Sequence, residues 1–236
     1  MCRPNINNGD FMAEKVVLFD IDNTLVREWK DVSQYYVETI RNTYGVMIDD
    51  IDLSKYEGMT VQETVEGILS ANGLNEEEIN AKRGLFLQEL PYNHYNVAGH
   101  DKVELIDGAK DLLQHAHKRG YVIGAATGQL EGILRNMFDR AELNYDSYFK
   151  FGTYGDASTH IKEIIETSID VAHRDFLADR QNIIFMSSSK DHVVAAQSLG
   201  IIAIGVVTDE RSRKEMEGLT KGNVAKKLKD CEKWLK

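Results

Sequence analysis

The feature that most constrains this chain is a short apolar run that ends in two aspartates. Residues Val16–Phe19 read Val-Val-Leu-Phe and are followed by Asp20, Ile21 and Asp22. An apolar run this short and this rich in β-forming residues predicts a strand buried on both faces. In open α/β sheets the ligand crevice lies beyond the carboxyl ends of the strands, where Asp20 would emerge. Asp20 is therefore a candidate nucleophile or metal ligand and Asp22 a candidate acid or base, with a plain polar turn as the alternative.

Strand and helix patterns alternate from about residue 100 to the C-terminus. Apolar, β-rich runs at 121–126, 148–151, 183–186 and 201–207 are separated by stretches with apolar residues at helical spacing. Repeated alternation of this kind predicts an α/β fold with a Rossmann-like, doubly wound parallel sheet. We expect 201–207 to be the last strand and the lysine-rich C-terminus to form a helix on the edge of the sheet.

Between the first strand and this alternating region the pattern is helical. Apolar residues recur every four positions from Val32 to Tyr44, and residues 60–63 read Thr-Val-Gln-Glu, which matches a helix capping box. A third helix is predicted to end at Pro91, followed by an irregular hinge over 92–103. Packing of these helices directly on the sheet is the alternative to a separate domain. The predicted divisions are a flexible leader (1–14), an α/β core (15–30 and 100–236) and an inserted all-helical cap domain (31–99).

Residues 19–25, Phe-Asp-Ile-Asp-Asn-Thr-Leu, resemble the first motif of the haloacid dehalogenase-like hydrolases. The resemblance covers nearly the whole chain. In that family the first aspartate attacks phosphorus and becomes an aspartyl-phosphate, whereas the second protonates the leaving oxygen and later activates water. The resemblance implies these roles for Asp20 and Asp22. It also favours the phosphatase and phosphomutase branch, because family dehalogenases lack the second acid, and a phosphoglycolate phosphatase-like member with a helical cap.

Two further motifs of the family concern the phosphoryl group. Thr127 and Gly128 follow the predicted strand 121–126, where a hydroxyl and a helix N-terminus suit phosphoryl oxygens. They match the second motif, with simple helix capping as the alternative. The third motif supplies a cation that balances the charge of the transferred group. We expect Lys162 in this role, or His160 if it is protonated, with ordinary surface positions as the alternative.

The fourth family motif, Gly-Asp-x-x-x-Asp, is the point at which this chain departs from the family pattern. Ser187, Ser188 and His192 stand at its three defined positions, and Asp191 stands one place early. Three interpretations remain: Asp191 replaces the missing metal ligand, the metal binds weakly through water near Ser188, or catalysis is lost. Lys190 could also act as a fixed cation that partly replaces the metal charge. The resemblance implies that the metal is Mg²⁺ and that its ligands are Asp20, Asp22 and Asp191.

Composition limits the partners of the protein. The 28 basic and 38 acidic residues give a net charge of −10, which disfavours nucleic acids and anionic membranes as partners. Cys2 and Cys231 lie at opposite ends of the chain, so no disulfide framework or zinc spacing is visible. No apolar run approaches the roughly 18 residues of a spanning helix. We therefore expect a cytoplasmic monomer or homodimer.

The expected activity is magnesium-dependent hydrolysis of a small phosphorylated metabolite. The turn Gly58-Met59-Thr60 resembles one that family members aim at the substrate, which makes Thr60 a weak candidate for specificity, with ordinary helix capping as the alternative. A phosphomutase would use the same residues. A weakly active or non-catalytic relative, which binds a ligand or partner, is the alternative from another functional class.

Overall fold

The computed structural model describes residues 13–28, 33–98, 102–219 and 223–236. The predicted leader up to residue 12 and the predicted hinge residues Gly99 and His100 lie outside these ranges. The strands, numbered in chain order, are β1 Val16–Phe19, β2 Val26–Glu28, β3 Val103–Leu105, β4 Val122–Ala126, β5 Phe149–Thr153, β6 Ile183–Ser187, β7 Ile202–Val206 and β8 Val224–Ala225. The α-helices are α1 Ser33–Tyr44, α2 Val61–Ala71, α3 Glu76–Ala98, α4 Ala109–Lys118, α5 Glu131–Arg140, α6 Ile161–Phe176, α7 Lys190–Ser198 and α8 Glu210–Met216.

A six-stranded parallel sheet with the order β5-β4-β1-β6-β7-β8 forms the centre of the fold. β1 pairs with β4 on one side and β6 on the other, and its four residues are fully buried. Side chains alternate across the sheet, so Val17 and Phe19 pack in one apolar cluster with α4 and α5, whereas Val16 and Leu18 pack in a second cluster with α6 and α7. Helices on both faces confirm the predicted doubly wound α/β fold.

Helices α1 to α3 form a group between β2 and β3, which we call the helical insert (residues 33–98). α1 and α3 pack along each other, and their contact is centred on the buried residues Tyr36, Ile40, Phe86 and Leu90. β2 and β3, which flank the insert, pair as a short antiparallel ribbon. The apolar patterns of this region therefore serve helix-on-helix packing as well as packing against the core.

The third helix does not end at Pro91, contrary to the prediction. α3 continues through Pro91 to Ala98, and no hinge occupies 92–98. Proline removes one backbone hydrogen bond and normally interrupts a helix. Contacts beyond Pro91 compensate for this loss: the buried Asn93 amide donates to Thr39 Oγ1 at 2.9 Å, and His94 Nε2 lies 3.1 Å from the Glu28 carboxylate. Tertiary packing thus overrides the local signal.

The C-terminal part of the fold also differs from the prediction. β8 follows β7 and pairs with it in parallel, so 201–207 is not the last strand. The final segment forms a 3₁₀-helix over Leu228–Trp234, rather than an α-helix from Val224. Its apolar residues Leu228, Cys231 and Leu235 are buried in the same cluster as α4. Among the described residues, no helix has the length and apolarity needed to cross a lipid bilayer.

Candidate active site

Asp20 lies at the carboxyl end of the central strand β1, between the ends of β4 and β6. Its backbone N–H donates to the Met186 carbonyl at 3.0 Å, which continues the sheet register by one residue. The side chain is only 4% exposed, so its orientation is fixed by its neighbours rather than by solvent. The prediction that this residue emerges at the crevice of the sheet agrees with its position.

Four groups surround the Asp20 carboxylate. The Ile21 N–H donates to Oδ1 at 2.9 Å, the Ser187 hydroxyl donates to Oδ2 at 2.7 Å, and His192 Nδ1 lies 3.0 Å from the same Oδ2. Thr24 Oγ1 is more distant, at 3.5 Å from Oδ2. Burial acts to raise the pKa of Asp20. The charge and hydrogen bond of His192, together with the hydrogen bonds from Ser187 and Ile21, outweigh burial and lower this pKa overall. Asp20 is therefore held as an anion.

Asp22 has the opposite ionisation behaviour. Burial, together with the negative charges of Asp20 and Glu28, raises its pKa to about 7. The Gln129 side-chain amide donates to Asp22 Oδ2 at 3.3 Å. The turn that carries Asp22 is tight, since Asn23 has a φ of 57° and its N–H donates to the Val26 carbonyl at 2.8 Å. Near neutral pH, one carboxyl of the pair is thus ionised and the other is close to half protonated.

A cavity of about 230 Å³ opens beside these carboxyls. Besides Asp20 and Asp22, three predicted site residues line it, namely Thr127, Gly128 and Ser188, and so does His192, which was not predicted. The insert contributes phenol rings from α1 and residues of the turn before α2. The lining from the insert is Tyr35, Tyr36, Leu53, Tyr56, Glu57, Gly58, Met59, Val61 and Thr64.

The start of α2 is held tightly against the core. The Val61 N–H donates to the Gly128 carbonyl at 2.9 Å, and the Gln62 amide donates to the carbonyls of Gly155 and Asp156 at 2.9 and 3.0 Å. A Cβ on Gly128 would lie 2.9 Å from Thr60 Cα, so this approach requires glycine. The insert therefore covers the cavity on the side of β4.

Thr60 lies at the covered edge rather than in the cavity. It is fully buried, its hydroxyl donates to the Thr159 carbonyl at 2.9 Å, and its oxygen accepts from the Glu63 N–H at 3.1 Å as the N-cap of α2. It is not among the residues that line the cavity. The position fits the capping alternative, and its neighbours Gly58, Met59 and Val61 face the cavity instead.

The cations predicted for the third motif do not reach the site. Lys162 is exposed in the first turn of α6, and His160 is exposed at its N-cap. Neither lines the cavity. The loop before α6 packs on Gln129 and Gln62, and the two basic side chains are exposed outside the cavity.

The fourth motif supplies a histidine instead of a carboxylate. Asp191 is exposed in the first turn of α7 and does not line the cavity, so the structure does not bring this predicted metal ligand to Asp20. The next residue, His192, is buried and contacts Asp20 directly. Ser188 lines the cavity, and its N–H donates to Thr24 Oγ1 at 2.9 Å. One sequence signal could have identified His192 as a site residue: it stands where the fourth family motif has its second aspartate.

His192 also connects the core to the insert. Its Nε2 lies 2.8 Å from the Gly58 carbonyl, in the turn before α2, while its Nδ1 lies on Asp20. Burial acts to lower the pKa of His192, but the charge of Asp20 and the hydrogen bonds to Asp20 and Gly58 raise it overall. The ring is thereby fixed at both nitrogens.

A second charged cluster, which sequence reasoning missed, adjoins the cavity through Glu28. Glu28 of β2 accepts a hydrogen bond from Arg140 Nη1 at 2.6 Å and contacts His94 Nε2 at 3.1 Å. Burial acts to raise the pKa of Glu28, but these two partners lower it overall. Because the cluster joins β2, α3 and α5, it depends on tertiary proximity that no local sequence pattern reports.

The residues at the site do not fit a bound Mg²⁺ ion. Magnesium prefers an octahedral set of oxygens, usually with carboxylate ligands. Among the described residues, no group of three or more histidine, cysteine or acidic side chains is placed to hold a metal ion. The ring of His192 and the hydroxyl of Ser187 already occupy Asp20 Oδ2, and Asp191 is turned to solvent. The predicted Mg²⁺ site therefore lacks its third carboxylate.

Comparison with known proteins identifies a family whose sequence pattern spans most of this chain. The sequence pattern of haloacid dehalogenase-like hydrolases matches residues 17–206. A search of curated protein sequences gave no match. Such a family generally requires a divalent cation, so the composition of this site is a departure from the family pattern.

Several solved structures share the fold over almost the whole chain. One, described as a predicted phosphoglycolate phosphatase from Haemophilus somnus, has a TM-score of 0.67 at 15% identity and covers 95% of this chain and 99% of its own. CbbY from Rhodobacter sphaeroides in complex with phosphate has a TM-score of 0.66 at 14% identity, with coverages of 92% and 96%. A β-phosphoglucomutase from Clostridium difficile has a TM-score of 0.60 at 16% identity, with coverages of 91% and 92%. With the family match over most of its length, the chain belongs to the haloacid dehalogenase-like hydrolases.

Proposed function

We propose that this chain hydrolyses a small phosphomonoester through an aspartyl-phosphate formed on Asp20. The observation that carries the proposal is the pair of carboxyls at the end of β1, whose pKa values are shifted in opposite directions. Two titratable groups separated in this way suit a nucleophile and a proton donor acting together. Membership of a hydrolase family supports the same class of reaction.

The nucleophile of the first step is Asp20. Its Oδ1 accepts one hydrogen bond, from Ile21, and so keeps a lone pair for attack on phosphorus, whereas Oδ2 is held by Ser187 and His192. As the new oxygen–phosphorus bond forms, the bond to the leaving oxygen breaks. Asp22, protonated in part at neutral pH, gives its proton to that leaving oxygen.

In the second step Asp22 acts as a base. Its carboxylate accepts a proton from water, and the oxygen of that water attacks phosphorus and releases Asp20 and inorganic phosphate. Thr127, buried at the end of β4, and the Gly128 backbone line the cavity beside the pair and are our proposed phosphoryl-binding groups. Lys162 and His160 are omitted from this scheme because both are exposed outside the cavity.

The lining of the cavity favours a leaving group without a second negative charge. Arg27 is held by Asp209 at 2.8 Å, and Arg211 is paired with Glu57, so both arginines of the lining already have carboxylate partners. The phenols of Tyr35 and Tyr36 and the amide of Gln129 offer neutral polar contacts. A cavity of about 230 Å³ suits a metabolite with few carbons. We propose a phosphorylated polyol or small sugar as the substrate class.

The test is turnover of p-nitrophenyl phosphate by the native protein, run in parallel with EDTA and with added Mg²⁺. Acid quenching followed by mass spectrometry should find a phosphorylated peptide that contains Asp20. A panel of sugar and polyol phosphates, with phosphoglycolate as the comparison whose leaving group carries a carboxylate, then tests the leaving group. The proposal is contradicted if no substrate turns over in either condition, which would favour a non-catalytic relative. Dependence on a sugar bisphosphate would favour a phosphomutase.

A further inference from the structure

We propose that His192 takes the place of the divalent cation in this chain, so that the site works with a built-in positive charge and without a bound metal. This inference rests on the proposed function for its catalytic consequence, but its structural content can be tested separately. The family match leads one to expect a metal, whereas the residues at the end of β6 and the start of α7 point to a different solution.

The charge of His192 follows from its two hydrogen-bond partners. Nε2 lies 2.8 Å from the Gly58 carbonyl oxygen, which can only accept, so Nε2 carries a hydrogen. Nδ1 lies 3.0 Å from Asp20 Oδ2. That carboxylate already accepts from the Ser187 hydroxyl and the Ile21 N–H, which is the pattern of an ionised group. Nδ1 must therefore also donate, and a histidine with two donating nitrogens is a cation.

The position of this cation matches the task of a metal. It contacts the nucleophilic carboxylate, and it is buried together with it, so the electrostatic interaction is weakly screened. Lys190, which the sequence suggested as a substitute cation, does not line the cavity. Other titratable groups that face the cavity from neighbouring elements are Asp22, Glu28 and Glu57, with Arg27 and Arg211 in ion pairs of their own.

The chain also lacks the donor set that would compete with this arrangement. Ser187 and Ser188 replace the family glycine and first aspartate, and His192 replaces the second aspartate, so the described site offers hydroxyls and a cation in place of carboxylates. A divalent ion placed beside Asp20 would be repelled by the imidazolium. The two cations are mutually exclusive, which makes the inference testable by metal binding alone.

The first experiment measures Mn²⁺ binding to the native protein by electron paramagnetic resonance, with Mn²⁺ as the probe for a divalent cation. We expect no stoichiometric site up to about 1 mM Mn²⁺. His192→Asp should gain one site, with affinity at least tenfold above native, because it restores a carboxylate beside Asp20. His117→Asp, which changes an exposed histidine on α4, should gain none. One tight Mn²⁺ site in the native protein, or a folded His192→Asp variant that gains no affinity, overturns the proposal.

The second experiment needs no variant. Long-range proton–nitrogen correlation spectra of the native protein at pH 7.5 should place both ring nitrogens of His192 in the protonated range. A neutral tautomer overturns the proposal. The catalytic arm compares turnover with EDTA and with Mg²⁺, where we expect rates within twofold. If no substrate turns over at all, the proposed function fails, while the metal-binding and spectroscopic results still decide the role of His192.

Discussion

The two halves of the candidate site differ in how far they follow the family pattern. The carboxylate half, at the ends of β1 and β4, contains Asp20, Asp22 and Thr127, all of which line one cavity. The serine–histidine half, at the end of β6 and the start of α7, contains Ser187, Ser188 and His192. In the proposed function, the first half keeps the groups that attack phosphorus and move protons. The second half replaces acidic ligands by hydroxyls and a cation.

This difference separates two tasks of the proposed site: forming the bond to phosphorus, and balancing the negative charge of the Asp20 carboxylate. Attack on phosphorus requires a carboxylate at one position, which the central strand fixes. Charge balance requires only a positive group near that carboxylate, and a protonated ring can meet this need as well as an ion. The serine–histidine half can therefore change while the carboxylate half stays the same.

The largest expected effect is on the nucleophile. Asp20→Asn should lower turnover of p-nitrophenyl phosphate by at least about 10³-fold, roughly 4 kcal/mol in activation free energy, because an amide cannot attack phosphorus. Asp111→Asn, an exposed change on α4, is the matched control and should keep native activity. Steady-state kinetics with both variants make the measurement. Native turnover in Asp20→Asn would remove the carboxylate half from the reaction.

The next effect is on the charged pair that joins the two halves. His192→Gln should lower the free energy of unfolding by about 3 kcal/mol, because Asp20 would remain buried without its cationic partner. The double variant with Asp20→Asn should recover part of this loss, since neither buried charge then remains. Urea unfolding of the three variants gives the coupling. A loss below about 1 kcal/mol in His192→Gln would show that the pair contributes little.

The pH dependence of stability tests Asp22. Its folded pKa of about 7 lies above the ordinary aspartate pKa of 3.8, so folding favours its protonated form and stability from this group is lost as pH rises towards 7. Asp22→Asn removes the free-energy cost of ionising this buried carboxyl. Its stability advantage over the native protein should grow by about 2–3 kcal/mol between pH 5 and pH 8, at about 1.4 kcal/mol per pKa unit. Denaturation at both pH values checks this, and an equal difference at both would contradict it.

A smaller effect is expected at the covered edge of the cavity. Thr60→Ala removes the N-cap bond to Glu63 and the bond to the Thr159 carbonyl, and should lower the free energy of unfolding by about 1–2 kcal/mol. Thr60→Ser keeps the hydroxyl and is the control, with a change below about 0.5 kcal/mol. Thermal and urea unfolding measure both. If Thr60→Ala instead changes substrate preference with unchanged stability, the residue acts in specificity after all.

The smallest effects are expected at two residues that the family resemblance placed in the site. Lys162→Ala and Asp191→Asn should each leave kcat/KM within about twofold of native, because both side chains are exposed outside the cavity. Kinetics with p-nitrophenyl phosphate make the measurement. A loss of tenfold or more in either variant would return that residue to the reaction and weaken the contrast between the two halves.

The sequence predicted the fold because its signals are local and repeated. The buried run before Asp20 and the alternation of strand and helix patterns suffice for a doubly wound sheet, and the strand ends then bring Asp20 and Thr127 together. Where the predictions were wrong, longer-range contacts decide the outcome. α3 passes through Pro91 because Asn93 and His94 have partners on α1 and β2.

Apart from Ser188, the predicted site residues that line the cavity belong to its carboxylate half. Residues at the end of a strand have directions set by the sheet, whereas those in the first turn of a helix depend on how the preceding loop packs. Lys162 and Asp191 each lie in the first turn of a helix, and a rotation of one position separates an exposed side chain from a buried one. His192, one residue beyond Asp191, faces inwards for this reason.

The bond from His192 to the Gly58 carbonyl has a mechanical consequence. The His192 ring contacts both the Asp20 carboxylate and the turn before α2 of the helical insert, so a single side chain links the position of the insert to the orientation of the proposed nucleophile. A substitution that loosens the turn around Gly58 is therefore expected to shift His192, and through it the Asp20 carboxylate, without contacting Asp20 itself.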